Sequence, residues 1–185
     1  FYATPAYPSG DLDAINRDIQ EAAPGANGCT ALPFFQGRGS PDWNSAATGL
    51  FTGLTLGTTK GEMARALLES ICHEVAGRVQ AMAEIVDQPK ILLLGGGLSK
   101  STVYCQILAD ACETPVLARG NAEVTAIGTW ASGCVAMGVY SPHEQALQAA
   151  GALDTGTIYE PDKKLGELYK LIQKDSAELY RKLYT

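Results

Sequence analysis

Three features of this 185-residue sequence predict a helix-rich α/β fold. Short aliphatic segments end at glycine, as strands that are covered on both faces do. Longer segments between them repeat apolar residues every three or four positions, which is the period of an amphipathic helix. The composition, with 46% apolar and 18% charged residues, is globular. It excludes a disordered tail, a collagen-like rod and a coiled coil, and the length fits one domain or one piece of a larger protein.

The first quarter of the chain is predicted to be largely irregular. Residues 1–48 are rich in Pro, Gly, Asn and Asp, and they begin without a start methionine, so we expect a truncated sequence with an irregular lead-in. One short helix is expected near 12–22 and one strand near 31–35. The segment 49–56 alternates small and large residues, which predicts a second strand.

The longest helix follows this second strand. Thr59 and Glu62 have the spacing of a capping box, which predicts that the helix begins there. Apolar residues then recur on one face for about seven turns at ~3.6 residues per turn. They are Met63, Leu67, Ile71, Val75, Val79, Met82 and Ile85. We interpret this helix as the scaffold of the fold.

A strand at 91–94 is predicted to end in the glycine triplet Gly95, Gly96 and Gly97. A second helix is expected to follow at once, with Ser99 or Ser101 as its cap. Another short strand is expected at 115–117.

The last third of the chain is predicted to be helical. The helix at 123–139 is unusually rich in small residues, which lets another group approach its backbone closely. A polar connection precedes a closing helix at 162–184. No internal repeat, low-complexity tract or second domain is evident in the sequence.

Charge and cysteine content exclude several classes of function. Fourteen basic residues stand against twenty acidic ones, a net charge of -6, so we expect no nucleic-acid partner. No apolar run approaches the ~20 residues of a membrane span, so none is expected. The cysteines form an odd set without a Cys-x-x-Cys pair, and we expect reduced, mostly buried thiols in a cytoplasmic protein. They are Cys29, Cys72, Cys105, Cys112 and Cys134.

Two glycine-bounded turns at helix starts are the candidate binding elements. The triplet ending at Gly97, and the turn from Gly57 to Gly61, leave the backbone bare and aim free N–H groups at a ligand. Each turn taken alone is better explained as an ordinary tight turn or capped helix start without a ligand. A phosphate-binding P-loop is excluded because no Gly-Lys-Ser/Thr follows. A dinucleotide-binding oxidoreductase is disfavoured because Lys100 stands where its third glycine belongs.

Several segments, in order along the chain, together resemble the C-terminal motifs of the FGGY carbohydrate kinases. The segments 37–43, 49–54, 62–69, 94–101, 106–110, 123–128 and 179–184 carry this resemblance. It implies that residues 1–185 are the C-terminal, ATP-binding domain of such a kinase, ribonuclease H-like and actin-like in fold. The resemblance also implies that this domain is incomplete at its N-terminal side and that the sugar-binding domain is absent.

The resemblance implies an activity and its partners. The activity is transfer of the ATP γ-phosphoryl group to a sugar hydroxyl with Mg²⁺, in the cytoplasm. A ketopentose such as xylulose is the first expectation for the substrate, with gluconate or another sugar next and glycerol behind. ATP and ADP are the expected ligands, the sugar is bound mainly by the missing domain, and a homo-oligomer is expected.

The resemblance also implies which residues contact the nucleotide. Gly96 and Gly97 would lie against the adenosine, with Ser101 near the base at a position where relatives such as glycerol kinases carry Asn. Gly57 would approach the phosphates and ribose, and Gly61 stands where a longer polar side chain is common. No catalytic residue and no metal ligand is assigned, because the proton-accepting Asp of the family has no match in this chain.

Other titratable residues receive no catalytic role. Asp110 is interpreted as structural, and His73 and His143 as packing or surface residues. Asp11, Asp13 and Asp42 lie in the irregular lead-in and are not assigned. We therefore expect no sugar-dependent ATP hydrolysis and only weak nucleotide binding from this chain alone. The alternative hypothesis is a non-catalytic, actin-like nucleotide-binding module that acts as a sensor or scaffold.

Overall fold

The computed structural model describes residues 12–119, 123–151 and 156–184. Helices and short strands are interspersed along these ranges, as the sequence predicts. In order they are α1 (Leu12–Glu21), β1 (Thr30–Leu32), β2 (Leu50–Thr52), α2 (Lys60–Ala83), β3 (Leu92–Leu94), α3 (Thr102–Cys112), β4 (Val116–Ala118), α4 (Val124–Ala136), α5 (His143–Ala149), β5 (Thr157–Tyr159) and α6 (Lys163–Tyr184). The helix-rich α/β prediction is confirmed.

The strands form two small sheets. In the first sheet β1 and β2 are antiparallel, with Ala31 opposite Phe51. In the second sheet β4 lies in the centre, parallel to β3 and antiparallel to β5. Leu117 of β4 therefore has Leu93 on one side and Ile158 on the other. The parallel pair places the end of β3 at the same sheet edge as the end of β4.

The first two strands are shorter than predicted. The strand expected at 31–35 ends at Leu32, before Pro33, which has no N–H to donate to a ladder. The strand expected at 49–56 ends at Thr52 because Gly53 has a φ of +70° and turns the chain. A side-chain carbon at Gly53 would lie 2.1 Å from the Gly28 carbonyl oxygen, so this turn requires glycine.

The main core lies between α2, α3 and α6 and is continued by the second sheet. Cys72, Ile107, Leu108 and Tyr169 are among its buried members. All five cysteines are buried and unpaired, as the sequence predicts. Burial raises the pKa of Cys112 to about 12, so that thiol stays protonated near neutral pH.

The apolar stripe of α2 is not its most buried face. Met82 is 62% exposed, and Ile85 lies beyond the end of the helix and is 85% exposed. The fully buried face is small and polar instead, because α1, α3, α6 and β1 all contact this helix. Its members are Gly61, Arg65, Ala66, Glu69, Ser70, Cys72, His73 and Ala76. Leu67 and Ile71, from the stripe, line an open apolar groove of about 530 Å³ beside α1.

A buried hydrogen-bond network explains the polar residues of this face. Arg65 Nε donates to Glu69 Oε1 at 2.7 Å, and Arg65 Nη2 donates to the Tyr169 hydroxyl at 3.0 Å. Arg65 Nη1 donates to the carbonyl oxygens of Ile19 at 3.1 Å and Ala22 at 3.0 Å, near the end of α1. Arg65 thereby joins α1, α2 and α6, and its charge is paired inside the core.

The C-terminal third contains two elements that the sequence did not predict. Helix α5 and strand β5 lie where only a polar connection was expected. Helix α4 ends at Ala136 rather than 139, since the chain turns at Gly138 with a φ of +72°. Helix α6 begins where predicted, and the Asp162 carboxylate accepts from the Lys164 N–H at 2.8 Å. Among the described helices, none is long and apolar enough to cross a bilayer.

Candidate functional site

The glycine triplet after β3 forms an open turn. Gly96 has a φ of +91°, which favours glycine there. A side-chain carbon at Gly95 would lie 2.6 Å from Val124 Cγ1, so the start of α4 closes one side of the turn. No atom lies within 4 Å of the corresponding positions at Gly96 and Gly97. The backbone at these two glycines is therefore open to a ligand.

The chain enters α3 less directly than the sequence predicts. A 3-10 turn, Gly97–Lys100, comes between the glycine triplet and the helix. Ser101 is the cap, accepting from the Tyr104 N–H at 3.2 Å. The other predicted cap, Ser99, is buried with its hydroxyl 2.7 Å from the Gly96 carbonyl oxygen and 2.9 Å from that of Arg119. Ser99 therefore fixes the turn against the loop after β4.

The start of α2 has the predicted capping box. The Thr59 N–H donates to Glu62 Oε2 at 2.7 Å, and the Glu62 N–H donates to Thr59 Oγ1 at 3.2 Å. Gly57, just before this cap, is exposed, and its N–H donates to Thr55 Oγ1 at 3.2 Å. A side-chain carbon at Gly57 would make only an ordinary contact, at 3.8 Å from Thr55 Oγ1.

Helix α1 contacts the starts of both α2 and α3. Asn16 Oδ1 accepts from the Ser101 hydroxyl at 2.8 Å, at the start of α3. Two residues further along α1, Asp18 pairs with Lys60 Nζ at 2.9 Å, at the start of α2. The two helix starts are thus held against the same short helix, within one turn of each other along it. The sequence offered no motif that marked Asn16 or Asp18.

The structure gives Gly61 and Ser101 packing roles of their own. Gly61 is buried, and a side-chain carbon there would lie 2.5 Å from the Asp18 carbonyl oxygen. Its lack of a side chain therefore lets α1 approach α2, and little of its surface is left for a ligand. The Ser101 hydroxyl already caps α3 and bonds Asn16. A nucleotide contact at either residue stays a prediction.

The small-residue helix α4 leaves its glycines uncovered. At Gly128 and Gly133, no atom lies within 4 Å of the position that a side-chain carbon would occupy. Glu123 and Val124, at the start of α4, are exposed and adjoin Gly95 of the triplet. This helix therefore presents bare backbone next to the open turn, as its composition predicts.

The described aspartates that the sequence singled out are either paired with protein groups or exposed. Asp110 accepts from the Asp162 N–H and the Gln106 amide, each at 2.8 Å, so it is structural as interpreted. Burial raises its pKa. Asp42 pairs with Arg38, Asp13 is exposed on α1, and Asp11 lies outside the described residues. Across the described ranges, no group of three or more His, Cys, Asp or Glu side chains could hold a metal ion.

The fold and the open turn define the class of protein. A parallel strand pair, helices packed on the sheet and a bare glycine turn at a helix start make this a helix-rich α/β domain with an open turn at a strand end. Its likeness to a solved kinase at 27% identity identifies the fold as ribonuclease H-like and actin-like. Residues 9–137 match the C-terminal domain of the FGGY family of carbohydrate kinases. The chain belongs to this family.

Similar proteins agree with this assignment. The glycerol kinase of Acinetobacter baylyi is 36% identical over 160 residues, which cover 86% of this chain and 31% of the relative. The xylulose kinase of Rhodospirillum rubrum superposes with a TM-score of 0.77 at 27% identity, over 97% of this chain and 35% of that one. The Plasmodium falciparum glycerol kinase with ADP shares the fold, with a TM-score of 0.72 at 19% identity over 91% of this chain and 33% of that one. The chain thus spans about a third of the length of these proteins.

Proposed function

We propose that this chain binds an adenine nucleotide against the glycine triplet and acts as the ATP-binding part of a carbohydrate kinase. The observation that carries the proposal is the open backbone at Gly96 and Gly97, beside the start of α3. A purine or its ribose fits against bare backbone where a side chain would exclude it. The phosphates would extend toward Gly57, whose turn precedes the N-terminus of α2. Support also comes from the family membership and from the solved relative that holds ADP.

Each part of the site has a distinct task in this proposal. The turns at Gly57 and Gly97 bind and orient the nucleotide, and α1 keeps the two helix starts in register through Asn16 and Asp18. Mg²⁺ would arrive with the phosphates and neutralise their charge, since the described residues provide no ligand cluster. The group that takes the proton from the substrate hydroxyl would come from outside this chain.

The substrate of the kinase is proposed as a class. It is a sugar or polyol hydroxyl, with a xylulose-like ketopentose first, supported by the Rhodospirillum rubrum xylulose kinase. Glycerol, which the sequence analysis ranks after the sugars as a substrate, is supported by the higher identity to the Acinetobacter baylyi glycerol kinase. Phosphorylation of xylulose, gluconate and glycerol by a longer polypeptide containing this chain would choose among them. Self-association and a cytoplasmic location stay predictions.

The alternative is a nucleotide-binding module without catalysis. Both hypotheses expect nucleotide binding, and both expect no sugar-dependent ATP hydrolysis from residues 1–185 alone. They differ in whether the natural polypeptide extends beyond this chain and carries a catalytic Asp, which the kinase requires, whereas a chain that naturally starts near Phe1 would support the module. Robust turnover by the 185-residue chain with any sugar would contradict both.

A single added methyl group tests the site. Gly97→Ala places a carbon in open space and Gly57→Ala places one in ordinary contact with Thr55 Oγ1, so neither should strain the fold. Each should weaken ADP binding by about tenfold, since overpacking costs ~1–3 kcal/mol. Gly39→Ala is the matched control, because it also adds a carbon in open space. NMR titration of each variant with ADP measures the change. Equal affinities for the wild type, both variants and the control would refute the site.

A further inference from the structure

A second cavity lies between the middle of α2, the β1 region and α6. Its volume is about 150 Å³. The polar side chains that line it include those of Arg38, His73, Glu74, Arg78 and Ser176. His73 comes thirteen residues after Lys60, which places it roughly 20 Å along α2 from the proposed nucleotide site at ~1.5 Å per residue. This cavity is therefore separate from the glycine turns.

Two of the lining side chains lack hydrogen-bond partners. His73 is only 5% exposed, and neither of its ring nitrogens is bonded among the described residues. The buried Ser176 hydroxyl is likewise unpartnered there. Leaving such groups unsatisfied is unfavourable, so a polar occupant is expected in a cavity that has room for it. Both residues line this same cavity, on α2 and α6 respectively.

The charges of the lining favour an anion. The Glu74 carboxylate accepts from Arg38 Nε and Nη2, both at 3.3 Å, and from Arg78 Nη2 at 2.7 Å. Two guanidinium groups and one carboxylate therefore line the cavity, and Arg38 pairs with a second carboxylate, Asp42, which lies outside the lining. Burial lowers the pKa of His73 to about 4, so at neutral pH its ring adds one N–H donor and no charge.

Arg38 is the fixed member of this cluster. Its guanidinium also pairs with Asp42, and it lies over the Tyr180 ring, 4.2 Å from the centroid. Arg78 is more accessible, with a side chain 34% exposed and a single ion pair to Glu74. Arg78 is therefore the guanidinium that can turn N–H groups toward an occupant of the cavity.

We propose that this cavity binds one small oxyanion, of the size of inorganic phosphate or a simple carboxylate. Arg78, Ser176 and His73 donate to its oxygens. The volume accommodates several water molecules, and hence one such anion, but it is far below that of a pocket for a nucleotide. A cation is disfavoured by the two guanidinium groups. Bound oxyanion would link α2 to α6.

Calorimetric titration of the 185-residue chain with inorganic phosphate, at constant ionic strength, tests the proposal. One phosphate should bind, and Ser176→Ala and Arg78→Gln should each weaken binding about tenfold or more, the loss expected for a hydrogen bond to a charged group. Ser176→Ala removes an unpartnered hydroxyl, so it should leave the fold intact even if Arg78→Gln disturbs Glu74. Lys182→Gln is the control, because it removes a positive charge from an exposed position of α6.

The His73 ring reports where the phosphate binds. Its imidazole chemical shifts should change when phosphate is added to the wild type and should be unchanged in Ser176→Ala at the same phosphate concentration. Acetate that displaces phosphate would identify small oxyanions in general as the ligand, whereas acetate without effect would identify tetrahedral ones. Absence of binding, or binding that Ser176→Ala and Arg78→Gln leave unchanged, would overturn the proposal and leave a water-filled cavity. If phosphate instead bound at the Gly97 turn, Ser176→Ala and Arg78→Gln would leave its affinity unchanged.

Discussion

At the scale of single residues, His73 shows how burial without a partner changes a titration. Its ring is packed near the Tyr169 ring, with 5.4 Å between centroids, and its nitrogens have no partner among the described residues. Burial disfavours the charged form and lowers the pKa from 6.5 to about 4. Between pH 6.5 and about pH 4, His73 is therefore protonated in the unfolded chain and neutral in the folded chain. The contribution of neutral His73 to the free energy of unfolding is complete above pH 6.5 and is lost as the pH falls toward 4.

Replacement of His73 by Leu should flatten this pH dependence. The difference between 6.5 and about 4 corresponds to roughly 3 kcal/mol of unfolding free energy, which the wild type loses and the variant keeps. Urea unfolding at about pH 7 and about pH 4.5, in buffer free of small oxyanions, measures it. Both proteins keep the other charged residues that line the cavity with His73, which are Arg38, Glu74 and Arg78. Identical pH slopes for both would show that His73 titrates normally.

At the scale of elements, α1 organises the candidate site. Its polar side chains reach the starts of α2 and α3, and the carbonyl groups near its end accept from Arg65. Gly61 lets α2 approach the Asp18 carbonyl oxygen. The distance between the two glycine turns therefore depends on how closely this ten-residue helix packs.

A methyl group at Gly61 should separate α1 from α2. Gly61→Ala places a carbon 2.5 Å from the Asp18 carbonyl oxygen, a backbone atom that cannot turn away, so a loss of about 1–3 kcal/mol is expected. Gly77→Ala, in the same helix, meets only the end of the flexible Gln173 side chain at 3.2 Å. Because the Gln173 amide donates to the His73 carbonyl oxygen at 3.1 Å, a gain in helix propensity of up to ~1 kcal/mol is partly offset, and any loss should be smaller than at Gly61. Urea midpoints compare the two, and equal loss in both would contradict the packing role.

The sequence predicted the elements whose signals are local. The capping box at Thr59 and the glycine triplet were both found, because hydrogen bonds a few residues apart determine them. The sequence did not predict helix α5 and strand β5, because their formation depends on contacts with residues distant in the sequence. β5 contains one aliphatic residue, Ile158, and is defined by pairing with β4. The buried polar face of α2 was also missed, since Arg65 needs acceptors from α1 and α6.

The same limit applies to the site. Gly57, Gly96 and Gly97 are predicted from spacing and resemblance; the structure leaves space beside all three, and their contact with a nucleotide stays a prediction. The packing role of Gly61 could not, because it depends on a helix whose position no local pattern reveals. The cavity around His73 likewise requires three elements to come together.

At the scale of the whole molecule, the chain is much shorter than the kinases it resembles. It spans 31% of the Acinetobacter baylyi glycerol kinase and 35% of the Rhodospirillum rubrum xylulose kinase. Phosphoryl transfer depends on positioning both reactants and neutralising charge, and the described residues supply neither a metal cluster nor an assigned base. On the proposed function, we expect this chain by itself to bind nucleotide weakly and to show no sugar-dependent ATP hydrolysis.

The central claim is that adenine nucleotide lies against the two glycine turns. Backbone amide NMR of the 185-residue chain during ADP addition tests it most directly. The largest shifts should occur at the amides of Gly57, Gly96 and Gly97, with Gly39 and Gly77 unmoved. Saturable shifts centred on Gly77 or on α6, with the signals of Gly96 and Gly97 unchanged, would contradict the account.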